Sequence, residues 1–128
     1  MPSGWAVIAE TQIMVGYCLL LPDPVVPHLN AMDRLHQELF LRDMALLGDA
    51  VLEVTGAVRI NYEMLGNLEP ALHAHIIPRY DDQSDPLRTK PIWLYDWTRG
   101  EAFSEEQHGG LLRSIRTVLK GLRGDCTS

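Results

Sequence analysis

Two histidines one residue apart, His73 and His75, stand in the segment Leu72-His73-Ala74-His75-Ile76-Ile77-Pro78-Arg79. An imidazole titrates near neutrality, so its free ring nitrogen can attack an electrophile at physiological pH. One chemistry that suits the pair is nucleophilic catalysis, in which the second ring nitrogen is oriented by a neighbour. Another is metal ligation, since His-x-His on a strand supplies two ligands of a zinc site. A third ligand would come from His28, His36, His108 or a carboxylate, and none of these stands at a diagnostic spacing. The bland alternative is a pair of packing histidines on a half-buried strand. Spacing alone leaves the three readings open.

Whichever holds, the pair needs a rigid support. Ala71 to Tyr80 predicts a strand ended by Pro78. Alternate side chains of a strand share a face. Ala71, His73, His75, Ile77 and Arg79 then point one way, while Leu72, Ala74 and Ile76 point the other way and bury against a helix. Trp5–Ala9 and Tyr17–Leu21 are short apolar runs joined through a turn, which reads as a hairpin. Asp33 is the predicted N-cap of a long helix whose apolar face is Leu35, Leu39, Met44, Leu47, Val51 and Val54, and Gly56 ends it. Ala57–Tyr62 is another strand candidate. Met64–Pro70 and Asp81–Pro86 are rich in turn formers and read as loops. Ser104-Glu105-Glu106-Gln107 is a capping box opening a second helix, with Leu111, Leu112, Ile115, Val118, Leu119 and Leu122 as its stripe. The Gly109-Gly110 pair weakens that helix, and nothing in the sequence accounts for it. The fold class is α+β: a mainly antiparallel sheet of four or five strands with two packed helices.

The 128 residues suit a single domain, 1–128, with its core roughly at 5–80 and the C-terminal helix roughly at 104–123. The net charge of −6 argues against binding polymeric nucleic acid, which needs clustered Lys and Arg. It leaves room for a small anion in a locally positive site. Cys18 and Cys126 form no readable disulfide framework, and a reducing cytoplasm is the expected setting. No signal peptide and no membrane span is read.

The string from Asn61 to Arg79, with Leu65-Gly66-Asn67, Pro70 and Leu72-His-Ala-His-Ile-Ile-Pro-Arg79, closely resembles the signature region of the histidine triad (HIT) nucleotide hydrolases and transferases. Gly16-Tyr17-Cys18-Leu19-Leu20-Leu21-Pro22 is similar to that family's Gly-His-apolar-Pro strand, so the resemblance spans roughly residues 5 to 80. It implies a HIT-like fold, His73 as nucleophile, and His75 contacting phosphate. It implies attack on the α-phosphorus of a dinucleoside polyphosphate or nucleoside phosphoramidate through a nucleotidyl-histidine. Asn61 and Asn67 would line the phosphate pocket, Glu10 falls near the ribose-binding position, and Arg79 would pair with phosphate or with a carboxylate. The first triad histidine, which in the family helps hold the nucleophile's ring, is replaced by Ala71. A nucleotide-binding protein with little turnover is therefore the alternative, and a metal-dependent enzyme a third. The base pocket would be apolar, from the first two strands and the start of the long helix, with Val7, Ile8 and Leu20 as linings or core. The aromatic run Trp93, Leu94, Tyr95 and Trp97 would stack on a base, pack at an interface or join the core. The resemblance implies no cofactor or metal, a nucleotide as ligand, and a homodimer.

Overall fold

The computed structural model describes residues 1–81 and 86–123. Most of the expected Asp81–Pro86 loop and the tail holding Cys126 lie outside the described residues. In chain order the elements are β1 (Gly4–Ile8), β2 (Thr11–Gln12), β3 (Cys18–Pro22), α1 (Arg34–Thr55), β4 (Arg59–Glu63), β5 (Ala74–Arg79), β6 (Glu101–Ala102) and α2 (Glu105–Leu122). Short 3-10 turns occupy Leu29–Ala31, Pro86–Thr89, Ile92–Leu94 and Trp97–Arg99.

β1, β3, β5 and β4 form one antiparallel sheet in that spatial order, and β2 pairs with β6 in a small second sheet. The expected hairpin is β1 with β3, registered Trp5 to Leu21 and Val7 to Leu19. Its wide connection is organised by Gln12, whose amide donates to the carbonyls of Ala9 (2.8 Å) and Tyr17 (3.0 Å) and accepts from the Gly16 N–H (2.9 Å). Gly16 has φ +99°, and a Cβ there would come within 2.7 Å of the Thr55 methyl, so glycine is required on both counts.

The alternation expected of β5 is present. Ala74 and Ile76 enter a core with Leu20 of β3, Phe40, Leu47 and Val51 of α1, and Ile115 and Leu119 of α2. Ile77 enters a second core on the opposite face, with Ala9, Met14, Tyr17 and Ile92. Two boundaries differ from expectation. β5 begins at Ala74, so His73 stands on the residue before the strand, in a segment tied down by the Leu72 N–H to the Val26 carbonyl (2.8 Å). Nor does Pro78 end the strand, being paired with Ile60 of β4. The β3–β5 ladder stops at Cys18–Ile76, so the missing N–H of Pro78 breaks no bond on that side.

Asp33 caps α1, accepting from the His36 N–H (2.9 Å), and Gly56 closes it in the left-handed conformation. Of the expected apolar stripe, Leu47 and Val51 are buried and Met44 and Val54 pack partly buried against the same core, joined by Phe40 and Ala50, whereas Leu35 in the first turn is 72% exposed. At α2, Ser104 accepts from the Gln107 N–H as expected (3.2 Å), but the reciprocal bond comes from His108, whose Nδ1 accepts from the Ser104 N–H (3.0 Å). Gly109 leaves room for Glu105 to reach Arg113 (2.7 Å), since a Cβ there would meet the Glu105 carboxylate at 2.3 Å. Among the described residues no helix is long and apolar enough to cross a membrane.

Candidate active site

The sheet face opposite the helices carries His75, registered between Leu19 of β3 and Glu63 of β4. Its Nδ1 lies 2.6 Å from the Tyr17 hydroxyl. Burial, and then the charge of Glu63, push the Tyr17 phenol up to about 12, so it stays protonated. Burial, and then the neighbouring His73, bring His75 down to about 4, so its ring is neutral at physiological pH. With the phenol assigned as donor, His75 keeps its proton on Nε2, available to an anion.

Aromatic rings close around His75, which is 9% exposed. Trp93 meets it edge-on with ring centres 5.0 Å apart, Trp97 stacks on Trp93 at 5.3 Å, and Trp97 meets Tyr17 edge-on at 6.0 Å. The Trp93 indole N–H donates to the Glu63 carboxylate. The aromatic run is thus a strap over the second histidine.

His73 is half-buried, its ring edge-on to His75 with centres 4.9 Å apart. Its Nδ1 is 2.7 Å from the Ala71 carbonyl oxygen. A carbonyl only accepts, so Nδ1 carries a proton, and the lone pair of the neutral ring is the one on Nε2. The ring is therefore oriented by the backbone of residue 71. That contact does not depend on which side chain stands at position 71. Ala71→His is accordingly expected to change turnover by less than about threefold. A gain of tenfold or more in steady-state assays would show that the backbone contact is insufficient.

His73 borders a hollow of about 200 Å³ walled by Pro27, Leu29, Met64 and Leu65, with His28 and Asn30 as polar members. The apolar wall comes from the segment before α1 and the loop after β4. Leu20 is fully buried and Ile8 packs on the same core, so neither lines this space, and Val7 is not among its lining residues. Asn67 is exposed in the loop beside Gly66, which does line the hollow. Glu10 sits exposed on the connection after β1, where its carbonyl accepts from the Phe103 N–H (2.6 Å). Asn61 is turned toward Arg79, accepting from its guanidinium at 2.9 Å. Arg79 is 7% exposed and also donates to the carbonyls of Leu87 (3.3 Å) and Arg88 (3.0 Å) and to the Tyr95 hydroxyl (3.2 Å). It anchors the strap to the sheet. Among the described residues no three His, Cys, Asp or Glu converge on a metal position.

Two site residues escaped the sequence reading. Tyr17 occupies the slot in Gly16–Pro22 where the resembled strand carries a histidine, and that was the available signal. Trp93 belongs to the noted aromatic run, but its contact with His75 is set by tertiary packing. Tyr17→Phe leaves the buried His75 Nδ1 without a donor and its tautomer unfixed. The variant is expected to lose about 1–2 kcal/mol of stability and roughly ten- to hundredfold in kcat, with KM little changed. An unchanged kcat would contradict this positioning role.

His75 also gives the fold a pH dependence. Its folded-state value lies below the unfolded 6.5, so the unfolded chain takes up a proton that the buried ring refuses. This contribution is fully present above about pH 6.5 and is lost as pH falls toward about 4, by roughly 3 kcal/mol. Urea midpoints from pH 7 to 4 should fall more steeply for the wild type than for His75→Gln, and parallel curves would refute the assignment.

No family profile and no curated protein matches the sequence. Solved structures do. A histidine triad protein from Bradyrhizobium japonicum superposes with a TM-score of 0.81 at 22% identity, covering 93% of this chain and 86% of that one. One from Sinorhizobium meliloti gives 0.80 at 23%, covering 91% and 84%. A hypothetical histidine triad nucleotide-binding protein from Sulfolobus tokodaii gives 0.72 at 16%, covering 92% and 78%. The chain has the histidine triad fold.

Proposed function

We propose that the protein is a HIT-type nucleotide hydrolase or nucleotidyl transferase with His73 as its nucleophile. The observation that carries this reading is the hydrogen bond from His73 Nδ1–H to the Ala71 carbonyl, which fixes the neutral ring's tautomer with its lone pair on Nε2, in a ring set beside His75 and the adjoining hollow. The motif, the fold and the description of the Sulfolobus tokodaii relative as nucleotide-binding support it.

In this mechanism the His73 Nε2 lone pair attacks the α-phosphorus of a nucleotide anhydride or phosphoramidate. The bond from phosphorus to the leaving group breaks, and that group departs with its electron pair and is protonated. His73 becomes a cationic nucleotidyl-imidazole. The bond from its Nδ1–H to the Ala71 carbonyl strengthens as charge develops, since charge-assisted hydrogen bonds are the stronger kind. His75 offers Nε2–H to a phosphoryl oxygen, a donor placed in advance. Water then attacks phosphorus, the N–P bond breaks, and nucleoside monophosphate leaves. Asn67, next in sequence to Gly66 of the hollow, is assigned to the phosphates, and Glu10 to the ribose. Neither Asn61 nor Arg79 is assigned to substrate, because each already holds the other. Pairing with a second copy and a cytoplasmic setting belong to the same family reading.

The test is release of AMP from diadenosine polyphosphates or adenosine phosphoramidates, with and without a chelator. Turnover indifferent to chelation supports the proposal. Binding without turnover favours a nucleotide-binding protein, and turnover abolished by a chelator and restored by zinc favours a metal enzyme.

A further inference from the structure

A second hollow, of about 520 Å³ against about 200 Å³ at His73, lies where β4 and β5 meet the turn at Pro86–Thr89. Among the described residues four cations border it: Arg59 from β4, Arg79 from β5, and Arg88 and Lys90 from the segment that follows. Glu63 and Asp81 are the acidic members among them, and Glu63 is already engaged by the Trp93 indole. The described lining thus carries 4 − 2 = +2, in a chain whose net charge is −6.

The register makes this concentration costly when the hollow is empty. Arg59 and Arg79 are directly opposite on the β4–β5 ladder. Like charges so placed repel. Arg79 cannot turn away, because Asn61, the Leu87 and Arg88 carbonyls and Tyr95 hold its guanidinium, and its buried Nε has no partner. Among the described residues no carboxylate forms an ion pair with Arg59, Arg88 or Lys90. An anion between them relieves the repulsion, and guanidinium forks match phosphoryl oxygens. The volume lies within the range of small-molecule sites, roughly 300–1,000 Å³.

We propose that this hollow is a binding site for a small anion bearing two or more phosphoryl groups. Arg59, Arg88 and Lys90 make the contacts, and the fixed charge of Arg79 forms the floor. The excess of two positive charges selects a multiply charged ligand over a single weak acid. Among the described residues none lines both this hollow and the one at His73, so the site stands whether or not His73 is a nucleophile.

Isothermal titration with inorganic tripolyphosphate at low ionic strength tests this. Wild type should bind saturably. The triple variant Arg59→Ala, Arg88→Ala, Lys90→Ala removes only exposed side chains, so circular dichroism should be unaltered. Its affinity should fall by about a hundredfold or more, at roughly tenfold per charge-assisted contact of the weaker kind. His73→Ala should bind within about twofold of wild type, as it leaves the contacting groups in place. The proposal is overturned if wild type shows no saturable binding, if the triple variant binds as well as wild type, or if His73→Ala alone loses the anion.

Discussion

His73→Ala is expected to lower nucleoside monophosphate release by about ten-thousandfold or more, because a covalent route without its nucleophile leaves only binding and electrostatic assistance. The loss should appear in kcat, with KM moved far less. The folded state should be little affected. His73 precedes β5, is half-buried, and hydrogen-bonds locally to the backbone of Ala71. A urea midpoint within about 1 kcal/mol of wild type is therefore anticipated, and it separates lost chemistry from lost structure. Equal turnover by wild type and variant would remove His73 from the mechanism.

The second large effect concerns stability. Arg79→Ala deletes donors to Asn61, Leu87, Arg88 and Tyr95 in one step and leaves their acceptors facing a cavity. Bonds from a charged donor contribute about 1.5–3 kcal/mol each, and stranding buried polar groups adds to the cost, so a loss of about 3–5 kcal/mol is expected in urea denaturation. That is a large part of the roughly 5–15 kcal/mol typical of a folded domain. Once Arg79 no longer ties down the turn at Pro86–Thr89, Trp93 should also lose order over His75, giving faster amide exchange through residues 87–97. A large rise in KM with unchanged stability would instead return Arg79 to the substrate.

These two arginine and histidine positions show what could be read from sequence and what could not. Local rules placed α1 well, because Asp33 and Gly56 punctuate it, and period-two alternation correctly put Ala74 and Ile76 against the helices and His75 on the other face. Where the α1 stripe begins was less legible. Leu35 looks like core by spacing alone, and only the position of the sheet beneath the helix decides that it is not. Partners distant in sequence were not legible at all: Tyr17 and His75 are 58 residues apart, and Trp93 reaches His75 from beyond β5. Arg79 was ambiguous because its charge says nothing about burial. Position 71 is a different case. A sequence displays side chains, whereas the group that orients His73 is a carbonyl that every residue possesses.

Rapid acid or denaturant quenching during turnover of an adenosine phosphoramidate, followed by peptide mass spectrometry, examines the nucleophile itself. The account predicts an AMP adduct on the peptide containing His73, assigned by fragmentation to that ring and absent from His73→Ala. Sustained AMP release with no adduct on His73, or with the adduct on His75, would contradict it.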